Sequence, residues 1–200
     1  MFPKITEVIS QIDLESIPEY RKELLNPIRE FIQSKIEKNE AMALNFICTH
    51  NSRRSHLSQI WAQVMVHYFD LKHIYCYSGG TEATAMFPKI IETLILQGFE
   101  IEKLHDASNS IYAIKYDEKA PAIIGFSKAY PHFYNPKSDF VGMMTCNDAD
   151  ENCPVVFGAS SRFALNYEDP KLYDDTPIMN EKYLERSIQI ASEMYYLFGK

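Results

Sequence analysis

The sequence predicts an α/β fold, a three-layer sandwich around a four-stranded parallel sheet, with an N-terminal helical extension and an inserted hairpin. Three observations predict it. Short apolar runs such as MALNFIC (42–48) and FVGMMTC (140–146) have strand length and no helical period. Segments of helical period, 55–69 and 87–99, follow such runs directly or after a glycine-bearing turn. That alternation implies a parallel sheet with both faces covered.

Residues 1–40 form a helical, charged extension, and residues 41–200 the α/β domain. In the extension, Asn26-Pro27 reads as a helix cap followed by proline at the first helical position. Ile28, Phe31, Ile32 and Ile36 then mark one apolar face, and Lys38-Asn39-Glu40 ends the helix. From Ala41 the pattern changes. Strand 42–48 leads through a polar turn to helix 55–69, with Leu57, Ile60, Trp61, Val64, Met65 and Tyr68 facing inward. HIYCYSGG (73–80) is a strand closed by glycines, and helix 87–99 ends at Gly98. Runs 111–117 and 121–126 form the inserted hairpin, followed by an aromatic, proline-bearing stretch, 127–139. Strand 140–146 leads to a polar loop or short helix, 147–153, and residues 179–198 make a long amphipathic helix. Ligands of such sheets sit beyond the carboxyl ends of strands, where Cys48 and Cys146 stand.

The chain is 46% apolar and 24% charged, enough to bury a core, and its formal charge is −7. That charge gives no general attraction to nucleic acid or to an anionic membrane, so an anion site must be local. The N-terminus lacks a charged-then-apolar signal pattern and no apolar run matches a bilayer span, so a cytoplasmic location is expected. In a reducing compartment Cys48, Cys76, Cys146 and Cys153 are thiols or catalytic groups rather than staples. Nothing in the composition sets an oligomeric state.

The chemistry concentrates in CTHNSRRS, residues 48–55: a Cys, five residues, then Arg, between a strand and a helix. Successive N–H groups of a tight loop (Thr49, His50, Asn51, Ser52, Arg53) make an anion nest, and the helix start adds free donors. Arg54 can grip two oxygens of one anion with its planar fork. The same field favours the thiolate of Cys48, and Ser55 can donate to that sulfur. Arg53 either adds a cation to the site or points to solvent. The pattern calls for no metal.

The motif resembles the phosphate loop of the low-molecular-weight protein tyrosine phosphatases and thioredoxin-coupled arsenate reductases, over about residues 41–170. The resemblance implies that Cys48 is the nucleophile, that Arg54 binds a tetrahedral oxyanion, that Ser55 supports the thiolate and that Asn51 shapes the loop. His50 stands where the family usually has Gly, and Arg53 where it often has Cys. Asp169, followed by Pro170, matches the family's general acid. Glu168, Asp174 and Asp175 read as solvated acids.

CNDADENCP (146–154) resembles the paired-cysteine segment of the reductases; its spacing is poor for zinc, and two unrelated thiols are the plainer alternative. The resemblance implies a relay in which Cys48 attacks arsenate, Cys146 attacks the Cys48 adduct, and Cys153 takes over Cys146 for reduction by thioredoxin. Arsenate reductase is thus the first expectation. A phosphomonoesterase or phosphotyrosine phosphatase using Cys48, Arg54 and Asp169 is the second, and an anion-sensing module the third. No organic cofactor is implied. Some relatives hold a potassium ion beside the loop with a glutamate, and Gln59 stands at that position. Cys76 reads as an inert core thiol. His56, His67, His73 and His105 read as surface or capping residues. Tyr130, His132, Phe133 and Tyr134 either line the site's entrance or form a plain surface loop.

Overall fold

The computed structural model describes residues 1–199. A parallel sheet carries the site, with strand order β2-β1-β6-β7. Its strands are β1 (Met42–Cys48), β2 (Ile74–Gly80), β6 (Phe140–Met144) and β7 (Ala159–Ala164). β1 pairs with β2 from Met42↔Ile74 to Cys48↔Gly80, and with β6 from Leu44↔Val141 to Ile47↔Met144. The chain moves from β1 to one side through α3 (Arg54–Tyr68), and later to the other side at β6. Such a reversal opens a crevice at the strands' carboxyl ends. Cys48 ends β1 and Cys146 follows β6, so both thiols stand at that crevice.

Alternation along the strands separates two cores. Leu44, Phe46, Val141 and Met143 join the large cluster formed with α3, α2 (Glu19–Glu37) and α6 (Met179–Phe198). Ile47, Phe140 and Met144 face the other way, against Val156 and Ala149 of α5 (Asn147–Asn152). Trp61 is fully buried in the first core, and its Nε1 donates to Ser187 Oγ of α6 at 2.9 Å. Tyr68, expected inward, is 43% exposed: it is the last residue of α3, and its ring lies 6.0 Å from that of Tyr195 at the rim of the core.

α1 (Pro3–Ser10) and α2 bury Ile5, Ile9, Leu25, Ile28 and Ile32 in the same core as the sheet. Helix α2 does not begin at Asn26-Pro27; it begins at Glu19, after Pro18, and carries Pro27 inside it. Proline there removes the bond to the Glu23 carbonyl, and both Glu23 and Pro27 lie on the exposed side, where water replaces it. Packing of Leu25 and Ile28 on either side holds the helix through the proline. Arg21 reinforces it with a buried, two-pronged bond to Glu193 of α6, at 2.9 and 2.6 Å.

The inserted hairpin is present as β4 (Ile111–Lys115) and β5 (Ile123–Gly125), but it belongs to a three-stranded antiparallel sheet with β3 (Glu100–His105), which follows α4 (Pro88–Leu96). Gly98, at φ +98° beyond α4, meets Lys4 of α1 so closely that a Cβ would lie 2.6 Å from Lys4 Cβ. No helix among the described residues is long and apolar enough to cross a membrane.

Candidate active site

Loop 49–53 is shaped by bonds to its carbonyls. The N–H groups of Thr81, Glu82 and Phe87 donate to the carbonyls of Cys48, Thr49 and Ser52, at 3.0, 2.8 and 3.0 Å. The hydroxyls of Thr84 and Ser127 donate to the carbonyl of His50, at 3.2 and 2.8 Å. In a trans peptide the N–H of the next residue points opposite to the carbonyl. The amides of Thr49, His50, Asn51 and Arg53 are therefore turned inward, and among the described residues no protein group accepts from them. Converging free amides of this kind can hold an anion. Gly80 lets the loop approach: a Cβ there would meet the Thr49 carbonyl oxygen at 2.6 Å and the Asn51 nitrogen at 2.8 Å.

Asn51, at φ +44°, occupies the left-handed conformation that asparagine tolerates. Its Nδ2 donates to Ser55 Oγ at 2.9 Å, and its Oδ1 accepts from the Lys128 N–H at 2.9 Å. Ser55 Oγ lies 3.1 Å from Cys48 Sγ. Because Ser55 accepts from Asn51, its own hydrogen is free for the sulfur. Cys48 is 4% exposed and Ser55 is fully buried.

Arg54 opens α3 and reaches over the loop to the segment after β7. Its guanidinium donates to the Tyr167 carbonyl at 3.0 Å and to Asp169 Oδ2 at 2.5 Å. Asp169 Oδ1 accepts from the Lys171 N–H at 3.0 Å, which caps the short turn at Pro170–Tyr173. The loop arginine and the expected acid are thus in direct contact.

Arg53 takes neither role expected of it. It donates through Nε to Tyr183 Oη and through its terminal nitrogen to Asp174 Oδ2, each at 2.6 Å, and its plane lies 3.8 Å over the Phe87 ring. It therefore clamps the loop to α6 and to the acid-bearing segment. Asp174, expected to be solvated, is half of that clamp, with its side chain 19% exposed. Tyr183 Oη donates to Asp174, and burial with that bond pushes its phenol well up. Glu168 meets the earlier expectation more closely: it is exposed and pairs with Arg186 at 2.9 Å.

Cys146 caps α5, its Sγ accepting from the Ala149 N–H at 3.4 Å. Thr49 Oγ1 donates to Asp148 Oδ2 at 2.6 Å and lies 3.5 Å from Cys146 Sγ. With Thr49's only hydroxyl hydrogen spent on the carboxylate, the Cys146 thiol is the donor to Thr49. The Thr145 N–H donates to the Ile47 carbonyl at 2.7 Å, so Cys146 lies alongside the start of the loop, in one apolar cluster with Cys48. Cys153 lies at the other end of α5, half-buried, its Sγ 3.5 Å from the Val155 carbonyl. All four cysteines are free thiols, and burial pushes that of Cys76 well up.

His56 was expected at the surface and is fully buried, its Nδ1 3.4 Å from Ser78 Oγ and its Nε2 without a partner. It follows Ser55 on a helix whose first turns are covered on every side. Burial, aided by the Lys128 charge, pushes its imidazole down to about 3. Below the ordinary value of 6.5 the unfolded chain binds a proton that the folded chain refuses until about pH 3. The contribution is full above pH 6.5 and is lost as pH falls toward 3. Wild type should therefore lose ~3 kcal/mol relative to His56→Gln between pH 7 and 4. Urea unfolding of both proteins at the two pH values checks this, and a constant gap would contradict a buried neutral imidazole.

His67 is exposed and lies 3.4 Å from Asp117; His73 and His105 are also exposed. Sequence reasoning missed the buttress at 127–130. There the Ser127 hydroxyl, the Lys128 N–H and the Lys128 carbonyl hold His50, Asn51 and Gly80. Phe133 and Tyr134 are 79% and 40% exposed, while Tyr130 packs against the Cys48 cluster. Gln59 donates to the Cys76 carbonyl at 3.1 Å, which leaves one neutral, buried oxygen. No carboxylate bonds Gln59, Asn51 or Lys128 among the described residues, and the carboxylate expected beside such an ion is a neutral amide here.

No family model matches the chain. Arsenate reductase 2 of Staphylococcus epidermidis is 30% identical over 125 residues, 62% of this chain and 76% of that protein. Its namesake in Staphylococcus haemolyticus is 29% identical over the same shares. The solved low-molecular-weight phosphotyrosine phosphatase of Vibrio cholerae O395 aligns with a TM-score of 0.51 at 14% identity, over 78% of this chain and 94% of that one. The low-molecular-weight protein tyrosine phosphatase of T. tengcongensis gives 0.51 at 14%, over 77% and 95%. The structural likenesses establish the fold, and the identity to the reductase, across three quarters of its length, establishes the lineage. The chain belongs to the low-molecular-weight protein tyrosine phosphatase and arsenate reductase family, and it is an enzyme.

Proposed function

We propose that the protein reduces arsenate to arsenite through Cys48, Cys146 and Cys153, and that thioredoxin restores the thiols. One observation carries this reading: a second free thiol, Cys146, in the same buried cluster as Cys48 and in contact with loop residue Thr49. The oxyanion sits on the inward amides of the loop and the Arg54 fork. The Cys48 thiolate attacks arsenic and displaces water, forming a sulfur–arsenic(V) bond. Cys146 attacks Cys48 Sγ. The electron pair of the sulfur–arsenic bond stays on arsenic, which leaves as arsenite, and a Cys48–Cys146 disulfide remains. Cys153 then attacks Cys146, freeing Cys48, and a thioredoxin dithiol reduces the Cys146–Cys153 bond by the same exchange. A reducing cytoplasm is where such a donor works.

The second exchange requires α5 to unwind. Cys146 and Cys153 stand at opposite ends of that helix. Seven residues of helical rise separate them by about 10 Å, against a disulfide limit near 7 Å between Cα atoms. Arg162 holds the helix through the Asp150 carbonyl and carboxylate and the Cys153 carbonyl, at 2.6, 2.5 and 3.3 Å. Six residues held mainly by one arginine can open at low cost.

The contact of Asp169 with Arg54 favours a second reading, hydrolysis of phosphomonoesters with Asp169 as the acid. One comparison separates the two. With thioredoxin, its reductase and NADPH, wild type should consume NADPH continuously on addition of arsenate. Cys153→Ser should stop after about one turnover per enzyme while leaving aryl-phosphate cleavage unchanged. Sustained NADPH consumption by the variant would sink the relay. Fast aryl-phosphate cleavage by a wild type that leaves arsenate untouched would favour the phosphatase.

A further inference from the structure

The Thr49 hydroxyl and the Asp148 carboxylate stand beside the second thiol, and no step of the proposed chemistry uses either. Among the described residues the Cys146 sulfur has two hydrogen-bond partners, the Ala149 N–H at 3.4 Å and Thr49 Oγ1 at 3.5 Å. Thr49 Oγ1 donates its one hydrogen to Asp148 Oδ2 at 2.6 Å, so the bond between Cys146 and Thr49 runs from sulfur to oxygen. Asp148 Oδ1 accepts from Asn152 Nδ2, one turn further along α5, at 3.0 Å. The carboxylate is thereby held toward the loop from an exposed position, while the sulfur is 1% exposed.

A thiol that attacks must lose its proton, because its sulfur ends in a disulfide. A buried thiol cannot hand that proton to water directly. Here the bonds form an unbroken path outward, from the Cys146 S–H to Thr49 Oγ1 and from the Thr49 O–H to Asp148. The other charges on the surrounding elements are engaged elsewhere. Asp150 of α5 is paired with Arg162 of β7, Asp169 with Arg54, and Glu82 lies 3.9 Å from His50. Cys48, Cys153 and Tyr130 share the apolar cluster with Cys146, and among the described residues none of them bonds its sulfur.

We propose that Thr49 and Asp148 are the proton exit of Cys146. As Cys146 attacks Cys48 Sγ, its proton passes to Thr49 Oγ1, and the Thr49 hydroxyl proton passes to Asp148 Oδ2. The electron pair of the S–H bond makes the new sulfur–sulfur bond. The pair of the sulfur–arsenic bond leaves with arsenic, reduced from arsenic(V) to arsenic(III). Thr49 is left with a hydroxyl again, and the exposed Asp148 releases the proton to water. Thr49 touches the reacting sulfur; Asp148 acts through it, positioning the hydroxyl and taking its proton. The inference rests on the relay reading of Cys48 and Cys146.

The test is a single turnover of the reduced full chain with excess arsenate and no thioredoxin, following arsenite release. Asp148→Asn still accepts from Thr49 but takes no proton, so Cys146 must lose its own to solvent before attack. At pH 6 wild type should be about a hundredfold faster than Asp148→Asn, within the usual reach of a general base. The ratio should fall about tenfold per pH unit toward unity near pH 8, as preformed thiolate replaces assisted thiol. Protonation of arsenate, Cys48 or Asp169 is common to both proteins and cancels in the ratio. Thr49→Val should repeat the profile of Asp148→Asn, while Thr49→Ser and Asp148→Glu should recover most of the rate at pH 6. Equal rates of wild type and Asp148→Asn at pH 6 would overturn the proposal. So would a ratio that stays constant with pH, which is what loss of a mere tether on α5 gives. A wild type that releases no arsenite at any pH removes the relay reading and this inference with it.

Discussion

Cys48→Ser should abolish turnover with arsenate and with aryl phosphate alike, by roughly 10⁴-fold or more. The change swaps sulfur for oxygen at the end of β1 and leaves the fold intact, because the site is small, buried and already lined by the Ser55 hydroxyl. What disappears is the sulfur nucleophile; a serine hydroxyl there has no adjacent base to activate it. Anion binding should survive, since the proposed site rests on the inward amides and on Arg54. The measurement pairs NADPH consumption and aryl-phosphate cleavage with phosphate-induced thermal stabilisation. Turnover retained at roughly one part in a hundred would mean that another residue attacks the substrate.

Arg54→Lys should lower kcat/KM by roughly 10²- to 10³-fold, although it conserves charge. Lysine offers a point charge where arginine offers a fork, and the fork here has two protein partners besides the proposed anion. Its bonds to the Tyr167 carbonyl and to Asp169 tie the loop to the segment after β7. Replacing it therefore loosens Asp169 as well as the oxyanion grip. Both kcat and the apparent affinity should fall, and phosphate should stabilise the variant less than wild type. An unchanged kcat with only a raised KM would indicate that Arg54 serves ground-state binding alone.

What could be read from the sequence was local. The strand, the loop and the helix from Met42 to Tyr68 are contiguous, so their periodicity and the spacing of Cys48, Asn51, Arg54 and Ser55 are visible without knowing the fold. The family resemblance carried by that loop and by the Cys146–Cys153 segment agrees with the identity to arsenate reductase. β7, ASSRFA, and β3, EIEKLH, escaped because both are edge strands whose polar, partly exposed residues lack an apolar run. The helix start misread at Asn26-Pro27 shows local propensity overruled by the burial of Leu25 and Ile28.

The amino-acid order by itself determined the parallel α/β architecture and the chemistry of one loop, because both depend on neighbours a few residues apart. Only the tertiary structure decided which charges are buried and with whom. Arg53 meets Asp174 across 121 positions, Arg54 meets Asp169 across 115, and the Lys128 N–H meets Asn51 across 77. Burial of a polar group is set by the distant elements that cover it. His56 is neutral and Lys128 enclosed because β2 and the 126–135 segment close over the loop from outside, and no local pattern encodes that closure.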